Sequence, residues 1–233
     1  MRRRRSSAGW RSPISGGVVK TTESACIYVL AGTNGAGKSS VGGAAIRENG
    51  ADYFNPDEAT RRIRSANPHS SERDANITAW QEGKRLLEAA IAKRLVFAFE
   101  TTLGGNTMTL LLRRALADGL EVRMWYVGLA TPELHIARVR ARVARGGHDI
   151  PEHRIRERYE RSRVNLIRLL PRLPELRVFD NSVDADPASG ATPTPLLVLH
   201  MVNGTIAAMC DLSRVPEWAK PIVAAAMSSS KTG

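Results

Sequence analysis

Short apolar runs alternate with amphipathic segments along this chain. The run Ala25–Ala31, ACIYVLA, is continuously apolar, the pattern of a strand buried on both faces of a parallel sheet. ADYFN (Ala51–Asn55), LVFAFETT (Leu95–Thr102), EVRMWYVGLA (Glu121–Ala130) and LRVFDNS (Leu176–Ser182) read the same way. Helical patterns separate them, the first being SVGGAAIREN, Ser40–Asn49. A second starts at Asn55, which can cap it; Pro56 suits its first position, Asp57 and Glu58 suit its dipole, and Asn67-Pro68 ends it. A longer helix is expected from Ser71 to Arg94 with Ile77, Trp80, Leu87 and Ile91 on one side. TMTLLLRRALADG (Thr107–Gly119) is a fourth. Two arginine-rich helices follow, the first opened by Thr131-Pro132 and the second by Pro151, with Gly146-Gly147 between them. After a Pro/Ser/Gly-rich link, PLLVLHMVNGTIAAM predicts a hairpin turning at Asn203-Gly204. VPEWAKPIVAAAM predicts a short closing helix, and SSSKTG a tail.

Alternation of strand and helix from Ala25 to Ser182 predicts an α/β fold: a parallel, P-loop nucleotide-kinase-like sheet with helices on both faces. To this are added an arginine-rich helical lid and a C-terminal β-hairpin. The expected organisation is a basic, disordered segment over 1–20, one domain over 21–227 and a flexible tail over 228–233. Ligands bind such sheets beyond the carboxyl ends of the strands. Those ends carry GTNGAGKS, NPDE, ETT, GLATP and DNS, so polar and glycine residues fall where a site belongs.

Charge narrows the picture. The net charge is +11, and Met1–Lys20 contributes six positive residues and no acid. No apolar stretch follows those arginines, so they do not read as a secretory signal. No run approaches the ~20 apolar residues of a membrane helix. Cys26 and Cys210 lack metal-ligand spacing and read as small hydrophobes in a reducing cytoplasm. The stretch ARVRARVARGGHDIPEHRIRERYERSR, Ala137–Arg163, poses a choice between nucleic acid and one very negative small molecule. Only 5% of residues are aromatic, which argues against stacking on single-stranded bases. Carboxylates at the strand ends would repel a polyanion.

The chemistry begins with Gly32–Ser39, which matches the phosphate-binding loop G-x-x-x-x-G-K-[ST] between a strand and a helix. Gly32, Thr33, Asn34, Gly35, Ala36 and Gly37 would aim backbone N–H groups at phosphate oxygens, with Ser40 following. Lys38 would reach between the β- and γ-phosphates of ATP, and the Ser39 hydroxyl would meet Mg²⁺. Asp57 has three readings: general base for a hydroxyl, magnesium ligand, or helix-dipole acid. Glu100 should face the crevice, there to hold substrate hydroxyls, to reach magnesium through water, or to pair with an arginine. Arg138, Arg142 and Arg145 share one helical face, with Ile136, Val139 and Val143 roughly opposite. Arg154, Arg158 and Arg161 share another, beside Ile155, Tyr159 and Leu166. Two basic helices on a diglycine hinge make a lid that would stabilise a phosphoryl group in transfer.

GTNGAGKSS, NPDE, FETTL, RVRARVARGGHDIPEHRIRERYERS and DNS occur in an order that resembles the zeta toxin family of P-loop kinases, especially its small stand-alone members. The resemblance spans Ala25 to Ser182. It implies a nucleotide-kinase fold and transfer of phosphate from ATP to the 3′-hydroxyl of UDP-N-acetylglucosamine. It implies that Lys38 and Ser39 serve nucleotide and magnesium, that Asp57 is the base, and that Glu100 and Thr102 bind substrate. Arg142 would contact ATP phosphates, with a second arginine among Arg145, Arg154 and Arg158. Asp180, Asn181 and Ser182 would form the turn beside the adenine. The chain is shorter than the well-known toxins and lacks inserts that would shape a uracil pocket. The family implies a separate antitoxin, which the basic first twenty residues do not resemble. Acceptor alternatives are an antibiotic, a nucleoside or a polynucleotide end, and a nucleic-acid-binding NTPase is the alternative of another class.

Overall fold

The computed structural model describes residues 25–43, 53–183 and 194–230. The basic segment over 1–20, most of the helix expected over 40–49, the link after Val183 and the end of the tail lie outside those residues. Seven strands form one sheet in the order β2-β3-β1-β4-β5-β6-β7. They are β1 (Cys26–Ala31), β2 (Tyr53–Phe54), β3 (Phe97–Thr101), β4 (Glu121–Gly128), β5 (Glu175–Asp180), β6 (Leu196–Val202) and β7 (Thr205–Met209). The first five pair in parallel, and β6 and β7 pair antiparallel as the hairpin. Asn203 (φ 48°) and Gly204 (φ 76°) both take the left-handed values that a two-residue hairpin turn requires.

The helices are α1 (Pro56–Ala66), α2 (Glu72–Lys93), α3 (Asn106–Ala117), α4 (Pro132–Val143), α5 (Glu152–Leu169) and α6 (Lys220–Ser230). Ile27, Val29, Phe99, Met124 and Val178 from the strands share one cluster with Leu87, Leu112, Leu166 and Ile222 from the helices. The opposite face, with Leu30, Ala98 and Val127, is met by Ala36 and by Val41 in the short turn Ser39–Gly43. Both faces of β1 are therefore buried, which is why its sequence is apolar throughout.

Two expectations are corrected. The apolar side expected for α2 packs inward only in its C-terminal half, at Leu87 and Ile91. Ile77 and Trp80 are each 45% exposed, while Ala75, Ala79, Gly83, Leu87, Ala90 and Ile91 are buried. The reason is close approach: a Cβ at Gly83 would stand 2.6 Å from the Phe54 ring. Small side chains let α2 pack tightly, and the large ones upstream turn outward. Leu87→Ala is therefore expected to cost about 2–5 kcal/mol. Trp80→Ala is expected to cost under about 1 kcal/mol. Urea unfolding of both variants checks this, and a larger loss at Trp80 would reverse the correction. The closing helix also runs past Met227, so 228–230 are helical rather than tail. Ser228 and Ser229 bond back to the carbonyls of Ala224 and Ala225, and Ser230 reaches Gly204 O at 3.1 Å.

Candidate active site

The phosphate loop leaves β1 at Gly32, whose φ of 140° and whose distance from Val127 O (2.1 Å for a notional Cβ) leave no room for a side chain. Thr33 and Asn34 are buried. Lys38 turns back over the loop, and its Nζ donates to Gly32 O at 3.0 Å. Burial pushes its ammonium below the ordinary lysine range; Arg142 and Arg158 add to this, and Glu100 and Asp57 oppose it. Five charged groups from five parts of the chain thus share one electrostatic neighbourhood.

Glu100, at the end of β3, faces this site but is 8% exposed rather than open. Its Oε1 accepts from Ser39 Oγ at 2.7 Å, from Asn55 Nδ2 at 3.1 Å and from the Tyr53 hydroxyl. Neutral donors, not an arginine, hold the carboxylate among the described residues. Asn55 has a double task. Its Oδ1 caps α1 by accepting from Asp57 N (2.9 Å) and Glu58 N (3.2 Å), while its amide donates to Glu100. The strand-end carboxylate and the first turn bearing Asp57 are thereby joined through one side chain.

Arg142 of α4 crosses to Asp57, with Nη1 2.9 Å from Oδ2. The two side chains are 35% and 44% exposed, so the pair contributes at most about 1 kcal/mol to stability; its significance is positional. The second arginine at the loop is Arg158, not Arg145. Arg158 Nη1 donates to Asn34 Oδ1 at 2.7 Å, and its stem lies against Gly104. Burial lowers the Arg158 guanidinium from its usual value, with Arg154 acting in the same direction. Arg145, in the turn after α4, is exposed and bonds Ala141 O of that helix, and Arg161 pairs with Glu157 on the surface.

Thr102 lies in the loop after β3, where its hydroxyl accepts from Gly104 N at 3.4 Å. Leu103 in that loop has φ 54° yet is fully buried. Asn165 of α5 holds it there, donating to Leu103 O at 2.8 Å. On the other side of the loop, Asn181 Nδ2 donates to Ala36 O at 2.9 Å. Asp180 accepts from Trp218 Nε1 at 2.9 Å, and Ser182 donates to Asp180 and accepts from Ala130 N.

Sequence reasoning missed His135, Asn165 and Trp218 as supports. His135 is 1% exposed, and its Nδ1 lies 2.8 Å from Asn34 O. Burial lowers its pKa to about 4, so at neutral pH it is an uncharged donor to the loop. A lone polar residue inside an apolar helical stripe is the signal that marks both His135 and Asn165.

The strand order, the loop at the end of β1 and the charged groups around it define a P-loop kinase-like α/β protein. A family model described as an AAA domain matches residues 27–164, more than half of the 233, and the chain belongs to that family. A protein of Haemophilus influenzae described as uncharacterized is 33% identical over 129 residues, 55% of this chain and 88% of the relative. The AvrRxo1-ORF1:AvrRxo1-ORF2 structure with sulphate ions aligns with a TM-score of 0.62 at 14% identity, over 87% of this chain and 64% of that one. This chain thus spans less than two thirds of that neighbour. The corresponding complex with ATP aligns at 0.61, with 14% identity and the same coverage, 87% and 64%. The PezAT toxin-antitoxin system of Streptococcus pneumoniae aligns at 0.51, with 14% identity over 69% of each chain. At these identities the superpositions show a shared fold alone.

Proposed function

We propose that the chain acts as a single-domain, ATP-dependent kinase that transfers the γ-phosphoryl group to a hydroxyl of a small-molecule acceptor. The acceptor is a UDP-N-acetylglucosamine-like sugar nucleotide, the activity implied by the zeta toxin resemblance. The observation that carries this reading is the meeting of Asp57 and Arg142 beside the phosphate-loop lysine. A proton acceptor and a phosphoryl-stabilising cation are needed within a few ångströms of each other in phosphoryl transfer, and not in simple nucleotide binding.

In this mechanism the loop amides and Lys38 hold the triphosphate, and Asp57 takes the proton of the attacking hydroxyl. Arg142 and Arg158 face the charge spread over the transferring group. Asn181 borders the nucleotide, and Glu100 and Thr102 orient the acceptor. Magnesium fits the donor set. Among the described residues no three His, Cys, Asp or Glu side chains could hold a metal by themselves, and magnesium leans on phosphate oxygens and water instead. Ser39 would hold it, with Glu100 2.7 Å from that hydroxyl. When bound, the ion neutralises charge on the β- and γ-phosphates. A separate antitoxin belongs to the reading, and its test is relief of any toxicity by a co-expressed neighbouring gene product. No helix among the described residues is long and apolar enough to cross a membrane.

Incubation with ATP and a panel of UDP-sugars, followed by mass measurement, tests the proposal; no sugar gaining one phosphoryl group would refute the acceptor. The arginines supply a second test. Arg142→Ala is expected to lower kcat by about 10³-fold or more. Arg140 pairs on the surface with Glu152, and Arg140→Ala should do far less. Equal small effects in the two variants would return the arginines to a solvated surface.

A further inference from the structure

The segment GGHDIP, which follows α4, has no role in the mechanism above. Its geometry is specific. Gly146 is left-handed at φ 84°, and the amides of Gly146 and Gly147 close onto Val143 O (2.8 Å) and Arg142 O (3.0 Å). A Cβ at Gly147 would lie 2.6 Å from Arg142 Cγ and 2.9 Å from Arg142 O. The diglycine thus forms a tight turn wrapped around Arg142.

His148 then fastens this turn to the helices on the opposite side of the site. Its Nδ1 meets Glu72 in the first turn of α2, and its Nε2 lies 3.2 Å from Asn76 Nδ2, one turn further on. Asn76 Oδ1 in turn accepts from Thr60 of α1 at 3.0 Å. One assignment satisfies every group: Nδ1–H donates to Glu72, Nε2 accepts from Asn76, and Asn76 Oδ1 is left for the Thr60 hydroxyl. Meanwhile the His148 carbonyl accepts from Arg142 Nη2 at 2.7 Å, and Arg142 Nη1 donates to Asp57. The contacts close a ring that starts at Asp57 of α1, passes through Arg142, His148 and Asn76, and returns to Thr60 of α1. Both terminal nitrogens of one guanidinium are held, one by the base and one by a loop that α2 secures.

We infer that Glu72, Asn76 and His148 are positioning residues for Arg142, docking the turn between α4 and α5 on the α1–α2 pair so that the guanidinium stands at Asp57. The inference rests on the kinase reading for its catalytic consequence, and on the contact ring alone for its structural one. A long flexible arginine 35% exposed would otherwise sample many rotamers, and misplacement by an ångström costs about 100-fold in a transfer step.

The test is a double-mutant cycle on phosphoryl transfer, with hydrogen exchange as an independent arm. His148→Ala is expected to lower kcat by about 10- to 100-fold with KM for ATP within a few-fold. In the Arg142→Ala background it should add little, because the residue it serves is gone. His148→Asn, which keeps a donor near the Nδ1 position, should recover much of the loss. Glu72→Ala, which removes the acceptor of Nδ1–H, should act in the same direction and guards against a misfolded histidine variant. In exchange, His148→Ala should speed the Gly147 amide and leave the amides of β1 and β4 unchanged. Equal losses in both backgrounds, or full activity of His148→Ala, would overturn the catalytic role. Unchanged exchange at Gly147 would overturn the docking itself. If the wild-type protein transfers phosphate to no acceptor, the kinase reading fails while the exchange arm still judges the latch.

Discussion

Lys38→Ala is expected to abolish ATP turnover and to leave the melting temperature close to that of the wild type. The first half follows from geometry. Lys38 Nζ lies 3.0 Å from Gly32 O, folded over the loop whose backbone is shaped for phosphate oxygens. Arg142 is held on the Asp57 carboxylate and Arg158 on the Asn34 side chain, and neither folds back over the loop onto Gly32 O as Lys38 does. The second half follows from energetics. Burial already disfavours the charged form of Lys38, so its removal relieves that cost while giving up one charge-assisted hydrogen bond, worth about 1.5–3 kcal/mol. ATP turnover and a thermal melt decide the matter together. Normal turnover in the variant would overturn the phosphate-loop assignment.

Asp57→Asn separates a kinase from a nucleotide binder. The α1 cap survives the change, because Asn55 Oδ1 accepts from the backbone amides of residues 57 and 58, not from the Asp57 side chain. The contact with Arg142 also survives in part, since an amide oxygen can still accept from Nη1. What the variant loses is the ability to take a proton. ATP affinity should therefore stay within a few-fold, while phosphoryl transfer falls by about 10²–10⁴-fold, the range for losing a general base. Calorimetry with ATP and mass measurement of the product read the two quantities separately. Lost ATP binding with an unchanged melt would move Asp57 to magnesium, and undiminished product would remove it from the mechanism. If expression of the protein is toxic, the same substitution should relieve the toxicity.

The chain pattern alone determined the order of the strands and of the described helices from α1 on, and the hairpin, because each depends on neighbours a few residues apart. Asn55 capping α1, and Asn203-Gly204 turning β6 into β7, are local events with local signatures. The packing face of α2 was legible at Leu87 and Ile91 but not in the N-terminal half of the helix. Hydrophobicity favoured Ile77 and Trp80, whereas the fit of Gly83 against Phe54 depends on two backbones meeting in space. The same holds for the arginines. Helical periodicity put Arg142 and Arg145 on one face with equal claims. Only the tertiary structure divided them, turning Arg142 onto Asp57 across 85 residues and leaving Arg145 in the turn after α4, bonded to Ala141 O. Arg158, not distinguished from Arg154 by spacing, reaches Asn34 across 124 residues. The physical reason is range: a helix period fixes direction relative to its own axis, while the partner a long side chain meets depends on how separate elements dock. His148 shows the limit most clearly, for nothing around it in GGHDIP signals that Glu72 and Asn76 will receive its ring.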